Sequence, residues 1–390
     1  MKEYKIAKGW AFFIYLIAPF LIGLFGWLLI LPFQNGDFSP NAGWILIPVS
    51  LAMIVLMIIG VIDAYKGRLI IGEDRIISVS TLSIRELKLN EIKGFTVNEQ
   101  YIYVEPIDRS KKRIKISRYT GGYGEILQWL SLSYTDLDLQ NAIEEEQEIL
   151  KDESIGWTKE AREEKLTKAR QTARVINWAA GITAAWTFFY PTPYQYTILT
   201  AMVIPIVALL VVKFSGGLIR LDEKKGSACP SVIYAFIYPS LGILLRAIFD
   251  YDIFDYSNAW LPAVLITLVF LFLLLIKQQE ITFKKKLDYI TVSSLALFLL
   301  AYSFGTVIHI NCYLDNSEPV HYTTKVLDKR ISSGRSTSYY LELSAWGQQN
   351  EEDDVRVSKG LYNSIEVGDE VNVYFRNGIL KIPWFIVTDE

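Results

Sequence analysis

Cysteine and histidine are the scarcest reactive residues in this chain, with two of each among 390. Cys229 and Cys312 give no disulfide framework. His309 and His321 have no HExxH, HxxxH or CxxC partner, so no zinc motif forms. A P-loop, a GxSxG elbow and a paired-carboxylate arrangement are missing as well. These absences remove the common hydrolase, nucleotide-binding and metalloprotease readings. They leave an expectation of no enzyme activity, no catalytic, metal or cofactor-binding residue, and no cofactor. The formal charge of -3 argues neither for nor against nucleic acid, because it averages basic edges against acidic soluble parts. Nucleic acid is not an expected partner.

What is present is apolar length. A hydrocarbon core of about 30 Å needs about 20 apolar residues in a helix. Seven stretches approach or meet that: Trp10 to Phe33, Gly43 to Ala64, Val175 to Tyr190, Tyr196 to Val212, Pro230 to Phe249, Ala259 to Ile276 and Tyr289 to Ile310. The first, second, sixth and seventh contain no Lys or Arg and no acid except Asp63, so they lack the polar face of a soluble helix. The third and fourth are shorter, carry Thr183, Thr187, Thr197 and Thr200, and are joined by a turn sequence, Tyr190 to Gln195. The first stretch is too long for a signal-peptide core and has no small-residue cleavage site after it, so Met1 is expected to stay attached.

Charge sets an orientation. Lys2, Lys5 and Lys8 precede the first stretch, and Lys66 and Arg68 follow the second. Arg162 to Arg174 precede the third, Lys213 to Lys225 follow the fourth, and Lys277 with Lys284, Lys285 and Lys286 follow the sixth. The alternate loops, Gln34 to Ala42, Pro191 to Gln195 and Asp250 to Asn258, contain no Lys or Arg. This positive-inside pattern predicts a multi-pass protein of a bacterial cytoplasmic (inner) membrane, with a cytoplasmic N-terminus and an extracytoplasmic C-terminus. The two cysteines then lie on opposite sides and cannot pair.

Two segments read as soluble modules. Between the second and third stretches, Arg68 to Ile71, Arg75 to Val79, Ile84 to Leu89, Tyr101 to Glu105 and Arg113 to Ser117 predict short strands. Gly72 to Asp74 and Asp108 to Lys112 supply turns, and Tyr123 to Leu130 reads as a closing helix. The strings Leu69-Ile-Ile-x-x-Asp-Arg-Ile-Ile77 and Arg85-Glu-Leu-x-Leu-Asn-Glu-Ile-Lys93, followed by a late strand and a helix, resemble the bacterial pleckstrin-homology-like (PH-like) domain over about Tyr65 to Tyr134. The resemblance implies a small, bent antiparallel sheet capped by one helix, and a binding or assembly role. It does not imply phosphoinositide binding. Leu137 to Arg174 then reads as a charged connector of two helices broken at Ser154 to Gly156, without the apolar positions of a coiled coil.

Beyond Ile310, strands are predicted over Tyr322 to Leu327, Ser338 to Ser344, Val355 to Val357, Glu370 to Phe375 and Ile379 to Val387. Hairpin turns are expected at Ser332 to Arg335 and at Arg376 to Gly378, where Asn-Gly favours a type I′ turn. Val367-Gly-Asp369 before a strand weakly resembles the small β-barrel domains of unassigned bacterial membrane proteins.

The expected fold class is therefore a polytopic α-helical membrane protein of seven spans, with a cytoplasmic PH-like α+β domain and an exported small all-β domain. Its expected divisions are 1–64, a first transmembrane hairpin; 65–134, the PH-like domain; 135–174, the connector; 175–312, five further helices; and 313–390, the exported domain. Four constellations have chemical potential. His309 and Cys312 share a helix face. Asp250, Tyr251, Asp252, Asp255 and Tyr256 crowd one loop. Arg246 is the one cation well inside a span, placed to meet Asp250 or reach outward. Gly121 to Gly124 opens a helix whose amides could cradle an anion. Each also has a structural reading, as helix face, solvated loop, anchor and turn. A faint repeat links Tyr65 to Ile71 with Ser215 to Arg220. These features predict a non-enzymatic binding, scaffold or sensor protein with β-modules on both sides of the membrane. Its expected partners are membrane lipid and proteins held by the β-domains. A transporter or channel with regulatory soluble domains is the alternative.

Overall fold

The computed structural model describes residues 1–34, 40–108, 110–276, 281, 283–284, 286–333 and 337–389. The turns expected at Gln34 to Ala42, Asp108 to Lys112 and Ser332 to Arg335, and the cations Lys277 and Lys285, lie wholly or partly outside the described residues. The chain divides into two compact units, Met1–Glu148 with Lys225–Ala228, and Ile149–Lys224 with Cys229–Glu390.

The first unit opens with a short strand, β1 (Lys2–Lys5), which leads into the helical hairpin α1 (Lys8–Gln34) and α2 (Pro40–Lys66). Strands β2 (Arg68–Ile71), β3 (Arg75–Val79) and β4 (Ile84–Lys88) follow, and with β1 they form an antiparallel sheet in the order β1-β2-β3-β4. A second sheet holds β5 (Ile92–Val97), β6 (Tyr101–Pro106) and β7 (Ile114–Ser117). Helix α3 (Tyr123–Ser133) closes them, and α4 (Leu137–Lys151) leaves the unit. The alternating residues Ile76, Leu87, Phe95, Ile102, Val104, Ile114 and Ile116 meet Ile126 and Leu130 of α3 in one core. Period-two burial on the strands and one stripe on the helix explain why each element folds where it does.

Sequence reading passed over β1 and β5. The first is Lys-Glu-Tyr-Lys, whose lysines read as a basic flank, yet Lys5 pairs with Arg68 and Lys2 with Ile71. Its partner is remote in sequence because the whole helical hairpin is inserted between the two strands. The second contains Gly94, which interrupts the pattern and sits at a register irregularity in the β5–β6 pairing.

In the second unit, α5 (Lys159–Phe189), α6 (Tyr194–Phe214), α7 (Tyr234–Asp250), α8 (Ser257–Leu275) and α9 (Lys286–Tyr313) form the helical part, with β8 (Asp252–Ile253) between α7 and α8. Helix α7 approaches α9 so closely that a Cβ added at Gly305 would lie 2.9 Å from the backbone of Ile243 and Leu244. A sheet follows, of β9 (Val320–Ser333), β10 (Thr337–Leu343), β11 (Asp353–Val357), β12 (Glu370–Arg376) and β13 (Trp384–Thr388), with the short helix α10 (Lys359–Ser364). The order is β11-β10-β9-β12-β13-β8. The long β9 pairs with β12 along Val320 to Lys325 and with β10 from Val326 onward, passing through an irregularity beside Glu342 and Leu343. That shared strand gives the sheet its barrel-like course. Its core joins Val326, Leu341, Leu343, Trp346, Val371, Val373, Phe375 and Phe385.

The seven apolar stretches fall on helices except at the start of the fifth, where Pro230 to Ile233 precede α7 and Ser231 bridges to Arg220. Among the described residues, five have the length and hydropathy to cross a membrane: Lys8–Leu31, Leu46–Lys66, Tyr194–Phe214, Ser257–Leu275 and Lys286–Tyr313. Helix α5 carries its charged half before Val175, and α7 has 17 residues, so these two fall short of that measure. The exposure of α1 and α2 is the physical argument for membrane insertion. Only 6% of each span is buried, and Phe12, Leu16, Phe20, Leu51 and Leu56 project outward. Such a surface in water would aggregate, whereas in lipid it is matched to its solvent.

One expectation is corrected. Arg376 to Gly378 does not make a two-residue type I′ hairpin. Such a turn needs positive φ at both central residues, and here Gly378 has φ 73° while Asn377 does not take a positive φ. β12 and β13 end in the pair Arg376–Trp384, so a seven-residue loop, Asn377 to Pro383, replaces both the tight turn and the first half of the expected strand. The reason lies in α9, whose polar end holds this loop.

Candidate functional site

A polar cluster in the second unit lies where the helix ends meet the sheet. It is built outward from α9, on which His309, Asn311 and Cys312 are buried. Asn311 reads the loop that replaces the hairpin. Its Oδ1 accepts from the amides of Leu380 at 3.0 Å and Ile382 at 3.4 Å, and its Nδ2 donates to the Ile382 carbonyl at 2.8 Å. Gly378 packs against this amide so tightly that a Cβ there would overlap it. One turn on, Asp315 accepts from the Gly378 amide at 3.1 Å and from Trp384 Nε1 at 2.8 Å. Burial raises the Asp315 carboxyl, but the donors from Ser317, Trp384 and Gly378 outweigh it and leave it below the ordinary carboxylate value. Asn258, at the start of α8, donates to the Lys381 carbonyl at 2.6 Å, so a second helix grips the same loop.

The acidic loop that follows α7 divides into separate roles. Asp250 accepts from Tyr194 Oη at 2.9 Å and pairs with Arg246 at 3.3 Å. Arg246 also donates to the carbonyls of Thr187 at 2.7 Å and Phe188 at 2.9 Å, which neutralises the C-terminal end of α5. Asp252 sits in β8 opposite Phe385. Burial pushes its carboxyl up to about 6, against the attraction of Arg356. Asp255 accepts from the amide and hydroxyl of Ser257 and caps the start of α8. Tyr251 packs its ring on His309 and on Trp384, and burial holds its phenol up to about 12.

The residues singled out from the sequence are thus placed but not assembled into a reactive centre. His309 Nδ1 faces Tyr194 Oη at 3.4 Å and its Nε2 faces the Ile243 carbonyl at 3.3 Å, so both ring nitrogens are engaged. Cys312 lies 3.6 Å from the Asn311 amide nitrogen. His321 is on β9, tilted against the Tyr374 ring and bound to Asn372 Oδ1 at 2.8 Å. Among the described residues, no group of three His, Cys, Asp or Glu side chains could hold a metal ion. Gly121 to Gly124 serve β1: the Gly121 amide donates to the Lys5 carbonyl at 2.7 Å, and Gly122 takes φ 72° with Tyr4 against it. Sequence reading missed Asn311, Asp315 and Tyr194. An amide and a carboxylate at the end of an apolar run were the available signal.

Mid-helix hydroxyls show the same economy. Thr187 bonds the carbonyl of Thr183 and Thr267 that of Ala263, each four residues back on its own helix, and Thr197 bonds that of Pro193, just before α6. Thr267 also reaches Ser303 at 3.1 Å. As a whole, the arrangement is a hydrogen-bonded clamp between helix ends and a sheet. Comparison with protein-family models, with curated proteins and with solved structures finds no match in any of the three.

Proposed function

We propose that this chain is a non-enzymatic integral membrane protein of a bacterial cytoplasmic membrane, in which β-modules bind partners and helices couple those modules to the bilayer. The reading has seven spans, a cytoplasmic N-terminus with a PH-like module, and an exported C-terminal module. The observation that carries it is how the sheets are attached. In the first unit the sheet pairs the strand before α1 with the strand after α2, Lys5 to Arg68, so it grips both ends of one hairpin. In the second, β8 from the α7–α8 turn is an edge strand of the sheet, and Asn311 of α9 holds its loop. Displacing either sheet therefore moves helix ends, as a scaffold or sensor requires. Strands in groups of four and three with a closing helix support the PH-like reading. The cation-free turns after α5 and α7, at the same end of the second unit as its sheet, support an exported C-terminus.

The test is site-specific photocrosslinking of the full chain in its membrane, with the probe at Leu132 on α3 and at Val367 before β12, which are 81% and 57% exposed. A discrete adduct at either position is expected, and its reproducible absence at both would count against partner binding. The transporter alternative gains little from Thr187, Thr197, Thr200 and Thr267, whose hydroxyls each bond a backbone carbonyl four residues back. Flux in proteoliposomes would reinstate it.

A further inference from the structure

A second polar region lies at the opposite kind of place, within the first unit. Where the hairpin meets its sheet there is a cavity of about 390 Å³. One wall is helical: Ile14, Gly60, Asp63 and Ala64. Ile14 and Gly60 lie inside the apolar spans. The other wall comes from both sheets and the β3–β4 turn: Lys5, Arg68 and Arg85 with Ser78, Ser80 and Ser83 from the first sheet and its turn, and Lys115 with Tyr101 and Ser117 from the second. Four cations thus face one lining acid, Asp63, whose Oδ1 is already taken by the amide and hydroxyl of Thr81, at 2.7 and 3.1 Å.

The cations are weakly committed. Lys5 and Arg68 share a single carboxylate, Glu3, each at 3.6 Å. Arg85 donates to the Arg113 carbonyl at 3.0 Å, and Lys115 rests 3.6 Å over the Tyr101 ring. Pairing of that kind leaves charge and donors for an anion.

A separate feature sets the cavity at a lipid surface. The Ser80 to Ser83 turn between β3 and β4 is tied by Thr81 to Asp63 at the end of α2. Leu82 on that turn and Ile84 at the start of β4 face outward, 78% and 72% exposed. Tyr65, two residues past Asp63 on α2, is 75% exposed, and Trp10 on α1 packs at a tilt against Tyr119, with ring centroids 4.4 Å apart. Apolar and amphipathic side chains grouped at the end of a membrane hairpin belong to the headgroup level of a bilayer.

From this division of the lining we propose that the cavity binds the phosphate of an anionic membrane phospholipid. Lys5, Arg68, Arg85 and Lys115 hold the phosphate, Ile14 and Gly60 run beside the glycerol and first methylenes, and Leu82 and Ile84 dip into the interface. A soluble phosphate would use the cations but leave the apolar wall and the projecting turn unused. The inference needs only α1 and α2 in the membrane and stands apart from the partner-binding role.

The test uses the full chain purified in detergent and native mass spectrometry with added phosphatidylglycerol, phosphatidylcholine or glycerol phosphate. One phosphatidylglycerol should be retained at least tenfold better than phosphatidylcholine, and excess glycerol phosphate should not displace it. Arg85→Gln with Lys115→Gln should lose that preference. Lys112→Gln, whose side chain is outside the cavity, should keep it. Should the double variant fail to fold, Lys5→Glu, at a side chain 62% exposed, tests the same charge. Equal retention of the two lipids, unchanged preference in the folded cavity variants, or displacement by excess glycerol phosphate would each overturn the assignment.

Discussion

Gly378 and its neighbour Asn377 behave oppositely although they form one dipeptide. Gly378 has φ 73°, and its missing Cβ makes room for the Asn311 amide. A branched side chain there is strained by its backbone and collides with the group that holds the loop. Gly378→Val is therefore expected to destabilise the second unit by about 2 kcal/mol or more. Asn377 is exposed, and Asn377→Ala should stay within about 0.5 kcal/mol of the parent. Thermal melting of both full-length variants in detergent distinguishes them; equal losses would restore the tight type I′ turn. Asp252 offers a pH test. Its folded value of about 6 lies above that of a free carboxyl, so the folded chain keeps a proton that the unfolded chain releases. The stability it contributes is complete below about pH 4 and is lost as pH rises through 6. Asp252→Asn removes the ionisation, so the variant should melt above the parent at pH 8 and level with it near pH 4. A constant difference across that range would show that Asp252 does not titrate there.

Among elements, α7 matters beyond its length. It packs on α9 at Gly305 and on α5 at Gly242, where a Cβ would stand 3.1 Å from Thr187. Small residues let helices approach closely, and that close packing is the main source of association in lipid. Gly305→Val is expected to push α7 from α9, cost on the order of 1–3 kcal/mol, and loosen β8, which follows α7 directly. Melting together with protease accessibility at Asp252 to Tyr256 measures both effects; a stable variant with a newly cleaved loop would place the glycine's role in the loop alone. Most elements were legible locally. Arg68–Ile71 and Arg75–Val79 show strand patterns, and Tyr123–Ser133 has its apolar stripe. The strands β1 and β8 were not, because Lys-Glu-Tyr-Lys and Asp-Ile are too short and too polar to signal a strand without the partner edge that recruits them.

For the whole molecule, the flanking charges predict a cytoplasmic Ser154 and an extracytoplasmic C-terminus. A reporter active only outside should be active when fused to the C-terminus and silent when inserted at Ser154. The reverse pattern would overturn the orientation, and activity at both would mean that an even number of spans lies between them, not the five expected. Cysteine labelling at native positions is a poorer probe than the sequence suggested, because Cys312 is buried.

Apolar length and its flanking charge are local quantities, so the sequence by itself determined membrane insertion, the helical stretches and two β-rich modules between and after them. Which residues form a site is not local. Asn311 meets Leu380 across 69 residues, Tyr194 meets Asp250 across 56, and Lys5 meets Arg68 across the entire hairpin. Asn311, Tyr194 and Asp250 were each free, as sequence, to bond water or a ligand. Tertiary packing decided otherwise, because a buried donor or acceptor costs energy until it finds a partner, and the nearest partners lay on distant elements brought together by the helices.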